Sequence, residues 1–434
     1  MYCSFYSFKI TTSCRNLSVS FFRLSLSLLV FLFSNNAFAQ RDFSTTQLLS
    51  KNISTNGRAL LQENLQYLKE ENQKMPLVDE MSFRTETDEL DASRQEYLFR
   101  MNFNNKSARD VQNRITNSTI QSYELKDQIL RERELIKRYE YITKWYFSDS
   151  ELEWYDQKRI ILEDKKTIYK KMMRNAQQLN IDGLLKTEED LQELDQELLE
   201  LNHERVFSIS QLFPETENSE TYQLQASNWI TVETMREVLE KLDAAQDPTI
   251  EESIQQNDID LAKLDYDMEV AETEKVFDFV QLKYAGRNNA SPFREFSLGM
   301  SLIIPTKSSN RVNINEAQLE IFDELYQQER LRLEIEEDLI TAYAEFDHLM
   351  DEYQLIQDHI AKNKLEDTYE KYLQNGTVHP LTLLRIKESI LKSERELQKI
   401  EKSATLTFID ILTIKGLLGK SPVVNYLSND LESF

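Results

Sequence analysis

Few residues in this 434-residue chain could carry chemistry. The histidines are His203, His348, His359 and His379. His348 and His359 stand eleven residues apart, which puts them roughly on one side of a helix. No HExxH signature or other carboxylate motif accompanies them. The two cysteines, Cys3 and Cys14, lie near the amino terminus, and the rest of the chain has no thiol to serve as nucleophile, metal ligand or disulfide. A nucleophile elbow and a phosphate-cradling glycine loop are both missing. With 75 acidic residues, any Asp–Glu pair close in sequence carries no information. We therefore expect no enzymatic activity, metal or cofactor. The formal net charge of −24 also argues against nucleic acid, because phosphate binding needs a basic surface. One charged pair stands out. Arg385 and Glu388 lie three apart on one helical face, just past a turn at Gly376, Val378, His379 and Pro380. Alone, such a pair is worth about 0.3–0.5 kcal/mol. Any larger role depends on the elements that position it.

The first of these elements is expected to be removed. Lys9, Arg15 and Arg23 precede an apolar run from Leu24 to Phe33, and Ala37-Phe38-Ala39 then forms a small-x-small cleavage site. The run is short of the roughly 20 apolar residues of a membrane-spanning helix. No cysteine stands at the cleavage point, so a lipid-anchored terminus is not expected. Only seven glycines and seven prolines occur in the whole chain. That usage is far below average and leaves room for very long helices.

One unit is written twice. Lys74 to Phe83 aligns with Lys275 to Tyr284, and Arg94 to Phe103 aligns with Phe293 to Leu302. Each copy reads as a lead-in helix (55–74 and 249–274), two strands, a very long helix and a returning helix. This gives residues 1–39 as a signal peptide, 40–213 and 249–419 as the repeats, 214–248 as a joining segment with an extra element, and 420–434 as a tail. In the strands Tyr97, Phe99, Met101 and Phe103 alternate with Leu98, Arg100, Asn102 and Asn104, and Phe296, Leu298, Met300 and Leu302 with Ser297, Gly299, Ser301 and Ile303. Alternation over about ten residues marks a transmembrane barrel strand, with these eight residues facing lipid, or else a half-solvated hairpin. The partner strands are rougher: Asp79 interrupts Leu77, Met81 and Phe83, and Asp278 interrupts Val276, Val280 and Leu282.

The helices are clearer. From 309 to 375 no proline or glycine occurs, which predicts one helix of roughly 100 Å. The returning helix carries two heptad rows, Leu383, Ile390, Leu397, Ala404 and Ile411, and Ile386, Ser393, Ile400, Thr407 and Ile414. Strict seven-residue spacing imposes coiled-coil packing. The first copy repeats this from about 108 to 179, with Leu191, Leu194, Leu198 and Leu201 on the return and an aromatic packing cluster at Trp145-Tyr146-Phe147 and Trp154-Tyr155. Its turn is expected near Asp182 and Gly183. The fold class is thus mainly α with a small β part: long antiparallel coiled-coil hairpins in two tandem repeats, each with a two-stranded insertion. Four strands are too few to close a barrel, and open edges cannot sit in lipid, so several protomers would have to pool their strands.

With Tyr372-Leu373-Gln374-Asn375-Gly376 before the turn, Leu302-Ile303-Ile304-Pro305 ending a strand, Met75-Pro76 opening another, and the closing run from Phe408 to Gly419, the chain resembles the TolC-like outer membrane efflux proteins. The resemblance covers about residues 50 to 420. It implies a homotrimer with a twelve-stranded barrel in outer-membrane lipid and a helical tunnel through the periplasm. It also implies a periplasmic adaptor and an inner-membrane pump or ATP-driven exporter as partners. In some relatives acidic positions narrow the tunnel aperture; they fall here on Arg385 and Glu388. The tip reads Val378-His379-Pro380 where many relatives carry Val-Gly-Thr. The rival reading is a secreted periplasmic or surface coiled-coil scaffold or adhesin with no transport role.

The leader gives the first testable outcome. N-terminal sequencing of the exported chain should read Gln40-Arg41-Asp42, and any other start moves the cleavage site away from Ala39.

Overall fold

The computed structural model describes residues 41–51, 56–70, 74–87, 95–174, 181–214, 222–242, 248–285, 296–304, 310–375 and 378–434. The expected leader, Pro305 and the tip glycine Gly376 lie outside them. Strands β1 (Arg41–Ser44), β2 (Val78–Thr87), β3 (Gln95–Phe103), β4 (Tyr222–Gln225), β5 (Phe277–Ala285) and β6 (Phe296–Leu302) are interleaved with nine helices among the described residues. These are α1 (Thr45–Ser50), α2 (Asn56–Glu70), α3 (Lys106–Arg174), α4 (Ile181–Leu212), α5 (Val232–Leu242), α6 (Ile250–Thr273), α7 (Arg311–Asn363), α8 (Leu365–Asn375) and α9 (Pro380–Ile414). The fold is mainly helical with a small β part, as the sequence predicts.

Two helices set the length. α3 has 69 residues and α7 has 53, about 100 Å and 80 Å at 1.5 Å per residue. In the half nearest the strands, α2 packs on α3, α3 on α6, and α6 on α7. In the other half, α4 packs on α3, α3 on α9, and α9 on α7 and α8. Helix starts follow their caps. Thr249 and Glu252 form a reciprocal capping box for α6, and the His379 ring accepts from the Leu381 amide with Pro380 opening α9. α9 ends where Gly416 turns left-handed at φ 62° and the Leu417 amide donates to the Leu412 carbonyl at 2.9 Å.

Contrary to the sequence expectation, 309–375 is not one helix. It breaks at Lys364, whose φ 43° and ψ 46° lie in the left-handed region. For a residue with a Cβ that conformation costs about 1–2 kcal/mol. No glycine or proline marks the site, so nothing in the composition betrays it.

The main core lies at mid-length. Tyr139, Ile142 and Trp145 of α3 meet Phe408, Ile409, Ile411 and Leu412 of α9, Met235 of α5, and Leu427, all at 1% exposure or less. β1 and β4 pair in parallel beside it. Segment 420–434 is woven in: Tyr139 donates to the Val424 carbonyl at 2.6 Å, and Asn425 donates to the Thr45 hydroxyl at 2.8 Å. A second cluster, nearer the turns, joins Trp154, Tyr155, Ile161 and Leu162 of α3 to Leu194 and Leu201 of α4 and Leu391 of α9. The mid-helix aromatics are therefore packing residues; Tyr146 stacks on Trp229 with ring centres 3.9 Å apart.

A carboxylate sits at the rim of the main core. Glu401 accepts from Tyr353 at 3.2 Å, yet burial, with nearby Glu233 adding to it, pushes its carboxyl above the ordinary range. The folded chain then holds that proton more tightly than the unfolded chain. Stability falls as pH rises from the usual glutamate range through the raised value. Glu401→Gln should raise the thermal midpoint at pH 7.5 and leave it nearly unchanged near pH 4, as read by circular dichroism melts at both values.

Candidate functional site

The four long strands form one antiparallel sheet in the order β2-β3-β5-β6. Opposed residues share a face, so the register fixes which side chains sit together. Met81, Met101, Val280 and Met300 form one row across all four strands, and Phe83, Phe99, Leu282 and Leu298 form the next. With Tyr97, Tyr284 and Phe296 beyond them, this face is apolar from edge to edge. All eight residues singled out from sequence, Tyr97, Phe99, Met101, Phe103, Phe296, Leu298, Met300 and Leu302, lie on it. Leu298 is 73% exposed, Phe83 65% and Met300 62%, with no element among the described residues covering them.

Aromatic rings mark its two ends. Phe83, Tyr97, Tyr284 and Phe296 run in contact across the far end, with centroids 4.9–6.2 Å apart. Phe103 and Phe277 pair at 5.4 Å at the end next to the helices. Tyr97 and Phe103 are six residues apart on β3, about 20 Å. The opposite face is mostly polar, with Leu98 and Phe279 among charged neighbours: Lys283 bonds Glu96, and Arg100 lies 3.5 Å over the Phe279 ring and 3.8 Å from Asp278.

The rough strands find their explanation here. A β-bulge sits at Asp79 between Val78 and Glu80, and a second at Asp278 between Phe277 and Phe279. Each inserts one unpaired residue and shifts the alternation by one. These matched bulges also correct the repeat alignment. Asp79 corresponds to Asp278 and Phe99 to Leu298, an offset of 199 throughout, so Lys74 to Phe83 does not align with Lys275 to Tyr284 but two residues earlier. The closing hydrogen bonds agree: Asn104 to Leu77 in the first copy, Ile303 to Val276 in the second.

Among the described residues, both edges of the sheet are unpaired. β2 and β6 are the sheet edges. Their attached helices carry exposed apolar rows at heptad spacing: Val312, Leu319, Tyr326, Leu333 and Ile340 on α7, each more than half exposed, and Leu60 and Tyr67 on α2. Sequence inspection missed this row because it looks for a seam within the chain. Among the described residues no helix is long and apolar enough to cross a membrane, and no group of three or more His, Cys, Asp or Glu is placed to hold a metal.

At the other end the expected tip residues are only partly brought together. Asp182 and Gly183 are not in a turn; they occupy the first turn of α4, while residues 175–180 lie outside the description. Gly183 packs against Tyr169, whose ring would stand 2.7 Å from a Cβ there. Val378 and His379 precede α9, with Pro380 as its first residue. Glu388 pairs with Lys165 of α3, while Arg385 is exposed and forms no ion pair among the described residues. The coupling of Glu388 is thus to the next helix, not to its own neighbour. Beside it the Trp154 indole donates to the Leu391 carbonyl at 2.6 Å and Arg395 donates to the Tyr155 hydroxyl at 2.6 Å. Lys165 and Arg395 could not have been chosen from sequence, because charges are everywhere on these helices.

No protein-family model and no functionally described protein matches this sequence. Solved structures do match the fold. The outer-membrane channel OprN superposes with a TM-score of 0.64 at 13% identity, over 86% of this chain and 89% of that one. The outer membrane protein VceC from Vibrio cholerae gives 0.60 at 11%, over 86% and 96%. The open-state MtrE outer membrane channel of Neisseria gonorrhoeae gives 0.59 at 12%, over 85% and 88%. The chain has the fold of the outer-membrane channels. It is the fold that the resemblance to TolC-like proteins implies, a divergent example of it. At such identity this channel fold is kept by pattern and packing rather than by particular residues.

The tip of the channel fold yields a double-mutant test. Lys165→Ala and Glu388→Ala should couple by roughly 0.5–1 kcal/mol in thermal or chemical unfolding. Arg385→Ala should cost less than about 0.5 kcal/mol and show no coupling to Glu388→Ala.

Proposed function

We propose that this chain is one subunit of an outer-membrane channel-tunnel that serves efflux or type I secretion, with no catalytic activity of its own. The observation that carries the reading is the four-stranded sheet that is apolar on one face, mostly polar on the other and unpaired at both edges. An apolar band of about 20 Å between two aromatic levels suits the outer surface of a membrane barrel, whose girdles flank a band of about 25 Å. The polar face then lines the lumen.

Open edges decide the assembly. Every unpaired backbone group in hydrocarbon costs several kcal/mol, so the β2 and β6 edges need partners. A second copy supplies them, since the β6 edge of one chain can meet the β2 edge of the next. The exposed heptad row of α7 would then face the apolar positions of α2 on the neighbour. Three copies of a four-stranded sheet give twelve strands, within the range of closed membrane barrels, and three is the number that the resemblance implies. The helices, about 100 Å long, extend the tunnel into the periplasm. A periplasmic adaptor and an inner-membrane pump or ATP-driven exporter would engage its far end. Export by the cleaved leader and residence in the outer membrane complete the reading. Recovery of the chain in soluble form, without detergent and without bilayer conductance, would overturn it in favour of a coiled-coil scaffold.

The internal repeat supplies the register of the contact between chains. β3 pairs with β5 so that Met101 opposes Val280 and Phe99 opposes Leu282. Shifted by the repeat, β6 should pair with the neighbouring β2 so that Met300 opposes Met81 and Leu298 opposes Phe83. The chain has no cysteine after Cys14, so reporters are clean. Met300→Cys with Met81→Cys should give disulfide-linked dimers and trimers on denaturing gels, while Met300→Cys with Glu86→Cys should not. Links confined to single chains would show that the strands are not shared.

A further inference from the structure

The break at Lys364 divides one long helix into two pieces that are held very differently. α9 is tied to α3 by the Lys165–Glu388 pair, the Trp154–Leu391 hydrogen bond and the Arg395 contact with Tyr155, and Arg395 also lies 4.1 Å from the Trp154 ring. α8, on its other side, has no such tie. Among the described residues no side-chain hydrogen bond or ion pair joins α8 to another element; its Thr368 only bonds back to the Lys364 carbonyl at 3.1 Å. Between α8, the end of α7 and α9 lies a cavity of about 440 Å³, floored by Ile356, Ile360, Leu365 and Ile390. Glu366 of α8 and Glu394 of α9 both line it. The Glu394 carboxyl is pushed upward, first by burial and then by repulsion from Glu366, so like charges oppose closure.

Lys364 itself is strained. It holds φ 43° with a Cβ, in a stretch where every neighbour could continue an α-helix. A strained residue, a cavity and a helix without polar ties to its neighbours meet at one place. We propose that α8 is a hinged flap, which swings about Lys364 between the bent state seen here and a straight state continuous with α7. In the bent state the Lys364 amide reaches the Ile360 carbonyl at 3.3 Å and the helix restarts at Leu365. In the straight state Lys364 relaxes to ordinary helical angles and the interrupted ladder of backbone hydrogen bonds is restored across the break. The flap's consequence, a change of bore at the free end of the tunnel, rests on the channel reading. The hinge itself does not.

Two substitutions at Lys364 separate a hinge from a rigid kink. Isoleucine strongly disfavours the left-handed region and is accepted in a helix, so it biases the chain toward straight. Glycine adopts the left-handed region without strain, so it biases the chain toward bent. Backbone hydrogen exchange over 365–375 is read by mass spectrometry on the full chain in detergent, whether or not that chain conducts. For a hinge, Lys364→Ile slows exchange of α8 by about tenfold, and Lys364→Gly leaves it unchanged or faster. A rigid kink reverses both signs, because isoleucine would strain it and glycine would relieve it. That reversal, or the absence of any change in both variants, overturns the proposal. Exchange in α9 over 388–395 should remain slow in every variant, which shows that the chain is folded in each.

Discussion

A backbone N–H or C=O at an open sheet edge still needs a partner, and this constraint organises the molecule. The sheet exposes two such rows, one on β2 and one on β6, beside a face too apolar for water. Everything attached to the sheet repeats its order. α2 leads into β2, β3 runs into α3, α6 leads into β5, and β6 is followed by α7. The helices accordingly pack in the sequence α2, α3, α6, α7, matching β2, β3, β5, β6. One row of strands thus continues as one row of helices, with β2 and α2 at one end and β6 and α7 at the other.

The mid-length core holds these helices to the rest of the chain. There α3 and α9 are joined by α5, the β1–β4 pair and the carboxy-terminal segment, with Phe408, Ile409, Ile411 and Leu412 fully enclosed. Each buried side chain of this size contributes about 1.5–3 kcal/mol relative to exposure. Buried apolar residues away from this core gather in a smaller cluster. Rigidity is therefore concentrated at the middle. The free end is left to a second, smaller cluster around Trp154 and Leu391.

Much of this was legible in the sequence because period and punctuation carry it. The heptad rows of α9 read directly, and Ala404 and Ile411 are buried completely. β3 and β6 read from alternation alone. β2 and β5 did not, since a single extra residue at Asp79 or Asp278 inverts the phase, and a bulge leaves no composition signal of its own. Strand pairing restored the phase and with it the offset of 199 between copies. The break at Lys364 was illegible for a different reason. No glycine or proline stands at Lys364, so local preference gave no sign of a left-handed residue there. The partner of Glu388 was illegible too, because Lys165 lies 223 residues away and many lysines were available.

The same distinction explains how such a chain tolerates divergence. The four-stranded sheet asks only that one face be apolar and that bulges sit at matched points. Methionine, valine, leucine and phenylalanine satisfy the first requirement equally well, as the row Met81, Met101, Val280 and Met300 illustrates. The helical seams likewise ask for apolar residues every seven positions and leave the rest of the surface to charge, here to an excess of acid. What is not interchangeable is small in number: Gly183 beneath the Tyr169 ring, Gly416 at its positive φ, and the ties from α3 to α9. Those are the places where a single side chain, rather than a pattern, decides where two helices lie.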